Sequence, residues 1–179
     1  MKIAGHTAYA LALALFASAG LSELPANAQS PSSPPPALMA PMARSSPMPS
    51  QRITITPALL AGLPRMTITV NEEHGGTATY AGVALGAILA RENVPQGKAL
   101  RGAMLGQVAV VVASDGYRVA FAFPELDPAF TDRVVLLADT RDGAPLDPKI
   151  GPYRIVVPDE KREARWIHNA TEIDIATAQ

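Results

Sequence analysis

Gln107-Val-Ala-Val-Val-Val-Ala-Ser-Asp-Gly-Tyr-Arg-Val-Ala-Phe-Ala-Phe123 carries the clearest secondary-structure signal in the sequence. The apolar run after Gln107 is continuous, which is typical of a strand buried on both faces. Asp115-Gly116 is a favoured pair for a tight turn between two strands. Residues 117–123 then have the composition of the returning strand. The stretch therefore predicts a β-hairpin whose first strand lies inside a sheet.

Upstream of this hairpin, the chain shows further strand patterns and one helical pattern. β-Branched residues alternate with other residues over 52–56 and 66–70, and 77–81 is the expected returning strand. Residues 83–92 have apolar spacing that suits a helix, and this pattern ends before Pro95. The upstream half therefore contributes strands on both sides of a turn, followed by one helix.

Downstream of the hairpin, short apolar stretches alternate with turn signals. Residues 134–138, 153–157 and 165–175 have strand composition, 124–127 is able to open one helical turn, and Asp142-Gly143 turns the chain. The sequence contains no internal repeat. With about eight short strands and one or two helices, it predicts an α+β, mostly β domain rather than a βαβ array.

Composition excludes several classes of function. The 179 residues include 15 Lys and Arg against 16 Asp and Glu, for a formal net charge of −1, and there is no Cys. Without Cys the chain has no disulfide, thiolate metal site, iron–sulfur cluster or Cys nucleophile. Near-zero net charge argues against nucleic acid or an anionic membrane as the main partner, because both attract a basic excess.

Residues 1–28 have the parts of a secretory signal peptide. Lys2 supplies the positive start, and the apolar stretch 8–19 is shorter than the roughly 20 residues that span a bilayer. Ala26-Asn27-Ala28 offers the small residues that signal peptidase reads. No twin-Arg pair precedes the apolar stretch, so we expect a Sec-type signal, a periplasmic or secreted location, and no membrane span after its removal. A retained N-terminal anchor is the alternative.

Residues 29–50 are rich in Pro and Ser and form no apolar face. Pro cannot donate to helix or sheet ladders, so this segment is predicted to be an extended, disordered tether. A Pro-rich ligand motif is the alternative interpretation. The folded domain is expected over residues 51–179.

Metal binding and acyl transfer are poorly supported by the pattern of side chains. Glu72, Glu73 and His74 are adjacent, but a solvated turn explains them better than a metal site. Ser114 is able to act as a nucleophile with His168 only in principle, because no nucleophile-elbow motif surrounds it. A Ser before Asp-Gly is typical of a turn.

A basic cluster is the strongest candidate site in the sequence. Arg154 lies on a predicted strand, and Arg162 and Arg165 follow the next turn. Guanidinium groups hold anions through paired hydrogen bonds, so these three residues form a candidate anion site. The alternative is a solvated loop in which nearby carboxylates neutralise the arginines internally. Those carboxylates are Asp159, Glu160 and Glu163.

Five stretches in order carry a resemblance to a known family. They are Tyr80-Ala-Gly-Val-Ala-Leu-Gly-Ala-Ile-Leu89, Val112-Ala-Ser-Asp-Gly-Tyr-Arg118, Val135-Leu-Leu-Ala138 with Asp142-Gly-Ala-Pro-Leu146, Gly151-Pro-Tyr-Arg-Ile-Val-Val-Pro158, and Arg165-Trp166 before Glu172-Ile-Asp-Ile175. In this order they resemble the sulfite-oxidase-like, oxidoreductase molybdopterin-binding domain. The similarity covers the C-terminal part of that domain, so it implies a truncated version of the sulfite oxidase fold.

The departures from the family pattern set the functional expectation. Family enzymes bind molybdenum through a Cys thiolate, and this chain has no Cys. Ile150 stands at the position of the pterin-contacting His. Arg154 matches the family's Arg, while Arg162 and Arg165 stand where the family has Lys residues near the cofactor phosphate. The resemblance therefore implies surviving anion-binding residues with no catalytic residue, no metal and no cofactor.

Two functions follow from these observations. The first is a non-catalytic periplasmic protein that binds a small anion or a partner protein. The alternative is a genuine molybdopterin-dependent oxidoreductase, in which a partner subunit supplies the missing part. Because fold similarity alone does not assign function, the site residues must distinguish them.

The signal-peptide interpretation predicts the N-terminus of the exported protein. We expect N-terminal sequencing of material recovered from the periplasm to begin near Gln29, directly after the Ala26-Asn27-Ala28 site. Exported protein that still begins at Met1 would contradict cleavage and favour the retained anchor.

Overall fold

The computed structural model describes residues 51–73 and 76–178. The predicted signal peptide (1–28) and the predicted tether (29–50) lie outside the described residues, as does His74. Two antiparallel sheets and three short helices make up the described part, so the α+β, mostly β class is confirmed.

The first sheet contains the predicted hairpin at one edge. Its strands, in spatial order, are β1 (Gln51–Thr54), β9 (Ala170–Thr177), β4 (Gln107–Ala113) and β5 (Arg118–Ala122). The β4–β5 turn is the predicted one, since the Gly116 N–H donates to the Ala113 carbonyl at 3.0 Å. β4 also pairs with β9, so it is an internal strand, as its apolar run predicted.

The second sheet carries the residues of the candidate site. Its strands are β2 (Arg65–Glu72), β3 (Gly76–Ala84), β6 (Leu136–Arg141), β7 (Ala144–Pro145) and β8 (Arg154–Val156). The order is β2-β3-β6-β7, and β8 also pairs with β6. β6 therefore lies between the long β2–β3 hairpin and the short strand that begins at Arg154.

The helices are short. They are α1 (Pro57–Leu60), α2 (Leu85–Arg91) and α3 (Phe123–Leu126). The predicted helix over 83–92 starts later than expected because β3 continues to Ala84. α1 was not predicted, since four residues are too few to show periodicity. Thr56 caps it by accepting a hydrogen bond from the Leu59 N–H at 3.1 Å.

The last predicted strand, 165–175, is wrong at its start. Residues Glu163–Arg165 form a 3₁₀ turn, and β9 begins only at Ala170. The Trp166 N–H donates to the Glu163 carbonyl at 2.8 Å, and this local bond of the 3₁₀ turn takes the place of a bond to a neighbouring strand. Another 3₁₀ turn, Gly102–Gly106, lies directly before β4.

One cluster of buried side chains contains residues of both sheets. Its fully buried members include Tyr80 and Ile155 from the second sheet and Phe121 and Ile173 from the first. Burial of this apolar surface is the main stabilising contribution to the fold. In the part of the chain that the structure describes, no helix has the length and apolar character needed to cross a membrane.

Gly82 lets β3 approach β6 more closely than any other residue would. A Cβ atom at this position would lie 2.0 Å from the Leu137 carbonyl oxygen and 2.7 Å from the Ala138 Cα. The pairing is irregular between Ala81 and Gly82. Ala138 pairs with Gly82 on one side and with Arg154 on the other. The contact at Gly82 therefore helps to place Arg154 relative to β3.

Replacement of Gly82 should destabilise the domain. We expect Gly82→Ala to lower the free energy of unfolding by about 1–3 kcal/mol, because the new methyl group must displace backbone atoms of β6. Gly106→Ala is the matched control, since a Cβ there has nothing within 4 Å. It should change stability by less than about 0.5 kcal/mol in the same urea titration. Equal effects of the two substitutions would show that the β3–β6 approach is not a constraint.

Candidate functional site

Arg154, at the start of β8, is a buried cation held between two aromatic rings. Only 6% of the residue is exposed. Its guanidinium carbon lies 5.5 Å from the centre of the Tyr80 ring and 5.4 Å from that of Trp166. The two rings are perpendicular, with centres 6.4 Å apart. Such cation–π contacts favour a guanidinium group that has lost much of its water.

Hydrogen bonds occupy both terminal nitrogens of Arg154. Nη1 donates to the Tyr80 hydroxyl at 2.6 Å, and Nη2 donates to the Glu163 carboxylate at 2.9 Å. Tyr80 donates in turn to Glu72, whose carboxylate lies 3.5 Å from Arg154 Nη1. The buried charge is therefore paired with two carboxylates, as a stable buried ion requires.

Glu72 joins this network to Arg141. Arg141 Nη2 donates to Glu72 Oε2 at 2.7 Å. Burial alone would raise the pKa of Glu72, but the hydrogen bonds from Tyr80 and Arg141 and the charges of the two arginines outweigh it, so the pKa is lowered. Glu72 thus remains a carboxylate, and its contribution to stability is lost only as the pH falls below its usual pKa of 4.5 and through the folded-state value.

Arg162 joins the same network through Glu73, which is hydrogen-bonded to Glu163. Its Nε lies 3.2 Å from Glu73 Oε1, while the side chain remains 81% exposed. The Glu73 N–H donates to Glu163 at 2.7 Å, and the Glu163 N–H donates back to Glu73 at 3.3 Å. These reciprocal bonds fasten the end of β2 to the 3₁₀ turn. Arg154 and Arg162 are therefore connected through Glu163 and Glu73.

Arg165 contacts a different set of carboxylates. Its guanidinium group binds Glu160, lies 3.5 Å from Glu125, and stacks 4.6 Å from the centre of the Phe121 ring. Among the described residues, it shares no hydrogen-bond or ion-pair partner with Arg154 or Arg162. The three sequence-predicted arginines are thus divided between two networks, and each has a carboxylate partner.

The acidic partners were predicted only in part. Glu163 and Glu160 do neutralise arginines of the cluster, whereas Asp159 binds Arg133 at 2.8 Å. Glu72 and Glu73 were interpreted as a solvated turn, but Glu72 closes β2 with only 11% of its side chain exposed. The alternating pattern of residues 66–70 extended by two residues would have placed Glu72 on the inner face.

Two buried donors of the site lack a hydrogen-bond acceptor. They are Arg154 Nε and the indole Nε1 of Trp166. Both residues line a cleft of about 340 Å³, together with Asp115, Glu163 and His168. An unsatisfied buried N–H costs about 1–3 kcal/mol, so two in one place are unusual in a folded protein. The cleft is therefore suited to a ligand that supplies an acceptor oxygen.

His168 lies at the exposed rim of the cleft. Partial burial of the imidazole lowers the pKa of His168, and the positive charge of Arg154 lowers it further. The imidazole is accordingly neutral near pH 7, with one nitrogen that donates and one that accepts. It adds a polar group to the cleft without adding charge.

Arg154 also lines a second cleft, of about 330 Å³, with Glu72, Arg141, Asp147 and Ile150. Across residues 51–73 and 76–178, no three His, Cys, Asp or Glu side chains are grouped so as to hold a metal ion.

No protein-family model matches this chain, and no curated protein matches it either.

Tyr80 should titrate at unusually high pH. Burial and the hydrogen bond to Glu72 raise its pKa from 10.0 to about 12. The raised value favours the neutral phenol in the folded state, so this stabilisation is complete below pH 10 and is lost as the pH rises toward about 12. We expect Tyr80→Phe to remove one tyrosinate signal near pH 12 from the ultraviolet titration.

Tyr117→Phe is the control for this titration, because the Tyr117 hydroxyl lies outside the buried network and donates to the Ala164 carbonyl. The signal near pH 12 should persist in that variant. Its persistence in Tyr80→Phe would show that another residue carries it.

Proposed function

We propose that this protein is a non-catalytic binding protein whose ligand is a small monoanion. The monoanion is held in the cleft that Arg154, Trp166 and His168 line, called the Arg154 cleft below. The observation that carries this proposal is the pair of buried donors without an acceptor, Arg154 Nε and Trp166 Nε1. A carboxylate or similar oxyanion group carries the acceptor oxygens that such donors require. Satisfying both donors at once would recover the free energy that their burial costs.

The charges around the cleft favour a single negative charge over a double one. Arg154 already shares its charge with Glu163 and Glu72. Asp115 and Glu163 also line the cleft and would repel a strongly charged group. A carboxylate or nitrate therefore fits better than phosphate or sulfate. The sequence predicted a small anion of unspecified charge, and the carboxylates around the cleft favour a monoanion.

The relationship to the sulfite-oxidase-like domain is part of this proposal. The motif stretches of the resemblance lie on β3 and α2, on the β4–β5 hairpin, on β6 and on β8. A mostly β domain with these elements in this order supports a truncated version of that fold. A periplasmic location is also part of the proposal, and the signal-peptide pattern of residues 1–28 supports it.

The residues present do not fit a molybdopterin cofactor. Thiolate ligation of the metal is impossible without Cys. The arginines expected near the cofactor phosphate are paired with carboxylates, Arg162 with Glu73 and Arg165 with Glu160 and Glu125. Those carboxylates would repel a phosphate group. The alternative function, a molybdopterin-dependent oxidoreductase, would thus require a partner to supply both the metal ligand and the phosphate site.

The single Trp of the chain gives this proposal a direct test. Its indole N–H produces one cross-peak in a ¹H–¹⁵N correlation spectrum. Titration with acetate, nitrate and sulfate at constant ionic strength should move that cross-peak, with saturation at lower concentration for the monoanions. Trp166→Phe lacks this reporter, so its titration is followed through the backbone cross-peaks of residues 163–168. It should weaken monoanion binding about tenfold, the effect of losing one hydrogen bond to a charged acceptor.

Two arginine variants separate the cleft from the sequence-predicted triad. Arg154→Lys keeps the positive charge but removes Nε, so it should weaken binding. Arg162→Ala removes an exposed guanidinium group and should leave the affinity within about twofold, since exposed charges contribute little. An indole cross-peak that no anion moves would overturn the proposal. Equal losses in both arginine variants would indicate nonspecific charge attraction instead.

A further inference from the structure

A third cleft, separate from the two that Arg154 lines, lies beside α2 and α3. Its volume is about 450 Å³, within the range of small-molecule sites. The walls are mainly apolar and include Met66, Ala87, Leu126 and Val135. None of its lining residues lines either of those two clefts. A ligand here would therefore occupy a different place from the proposed monoanion.

Two acceptor groups are available among the polar residues of this α2–α3 cleft. Gln96 uses its amide nitrogen to donate to the Gly86 carbonyl at 2.6 Å, which assigns the amide orientation and leaves the side-chain oxygen as an acceptor. Asp132 is exposed at the cleft and, within the described residues, has no side-chain hydrogen bond or ion pair. An apolar cleft with these two groups favours a ligand that donates hydrogen bonds.

The surrounding charges also favour a cation. Arg133, the only basic residue that lines the cleft, is neutralised by Glu125 at 2.6 Å and by Asp159 at 2.8 Å. The connected network holds two guanidinium groups, of Arg133 and Arg165, against three carboxylates. Those carboxylates are Glu125, Asp159 and Glu160. The network thus has one excess negative charge, and Asp132 adds another.

We propose that the α2–α3 cleft binds an apolar organic molecule that carries a protonated amine. The apolar part contacts Ala87, Leu126 and Val135, and the ammonium group binds the Asp132 carboxylate and the Gln96 side-chain oxygen. A neutral analogue loses the ion pair, and a carboxylate analogue is repelled. The charge of the ligand therefore decides its affinity for this cleft, in the opposite sense to that of the Arg154 cleft.

Three indole compounds that differ only in the terminal group test this proposal on the full chain. They are tryptamine, which is cationic, tryptophol, which is neutral, and indole-3-propionate, which is anionic. In ¹H–¹⁵N titrations, tryptamine should move the backbone signals of residues 84–87 and 131–135. It should bind at least fivefold more tightly than tryptophol, and indole-3-propionate should bind least.

Substitutions at the cleft should separate the charge from the apolar contact. Asp132→Asn, a change at an exposed residue, should bring the affinity for tryptamine down to that for tryptophol. The same change elsewhere, Asp147→Asn, preserves the acceptor for the Lys149 N–H and should have no effect. Ala87→Leu fills the cleft and should abolish binding of both compounds.

Equal binding of tryptamine and tryptophol in the wild-type chain would overturn the proposal, as would the absence of any binding. Signal changes confined to the Arg154 cleft would overturn it too, while leaving the monoanion proposal to its own titration. Asp132→Asn gives a result even if Ala87→Leu does not fold.

Discussion

The buried guanidinium group of Arg154 is the interaction on which the rest of the second sheet depends. A charge that is 6% exposed would be strongly destabilising without partners. Its partners come from distant parts of the chain, because Tyr80 lies 74 residues away on β3 and Glu163 lies on the turn after β8. The β2–β3 hairpin, β8 and the 3₁₀ turn must therefore all be in place before the charge is satisfied.

This requirement also explains why the same residues form a cleft. Tyr80 and Glu163 take the two terminal nitrogens of Arg154, and the rings of Tyr80 and Trp166 pack against the guanidinium group. Only Nε of Arg154 is left without a partner, and the indole nitrogen of Trp166 also has none. The contacts that hold the charge thus leave two donors on residues that line one cleft.

The sequence predicted the elements whose signals are local and missed contacts that join distant residues. The apolar run of β4 and the Asp115-Gly116 turn follow from nearest-neighbour preferences, and both are confirmed. Glu73 and Glu163 are 90 residues apart, so nothing in the order of residues indicated their reciprocal bonds. Arg165 was grouped with Arg154 by proximity in sequence, but the intervening 3₁₀ turn directs it to the Phe121 ring instead.

The distribution of charged and polar groups differs from cleft to cleft, although the net charge of the chain is close to zero. The whole chain is almost neutral, which from composition alone argued only against nucleic acid and anionic membranes. Within the fold, Arg154 and Trp166 bring unsatisfied donors to one cleft, while Asp132 and Gln96 bring acceptors to another. Because ion pairs with Glu125 and Asp159 neutralise Arg133, this basic residue of the α2–α3 cleft does not cancel the charge of Asp132. The partners of each arginine therefore decide which charges and which donors are left at each cleft, and that pairing is a property of the folded chain.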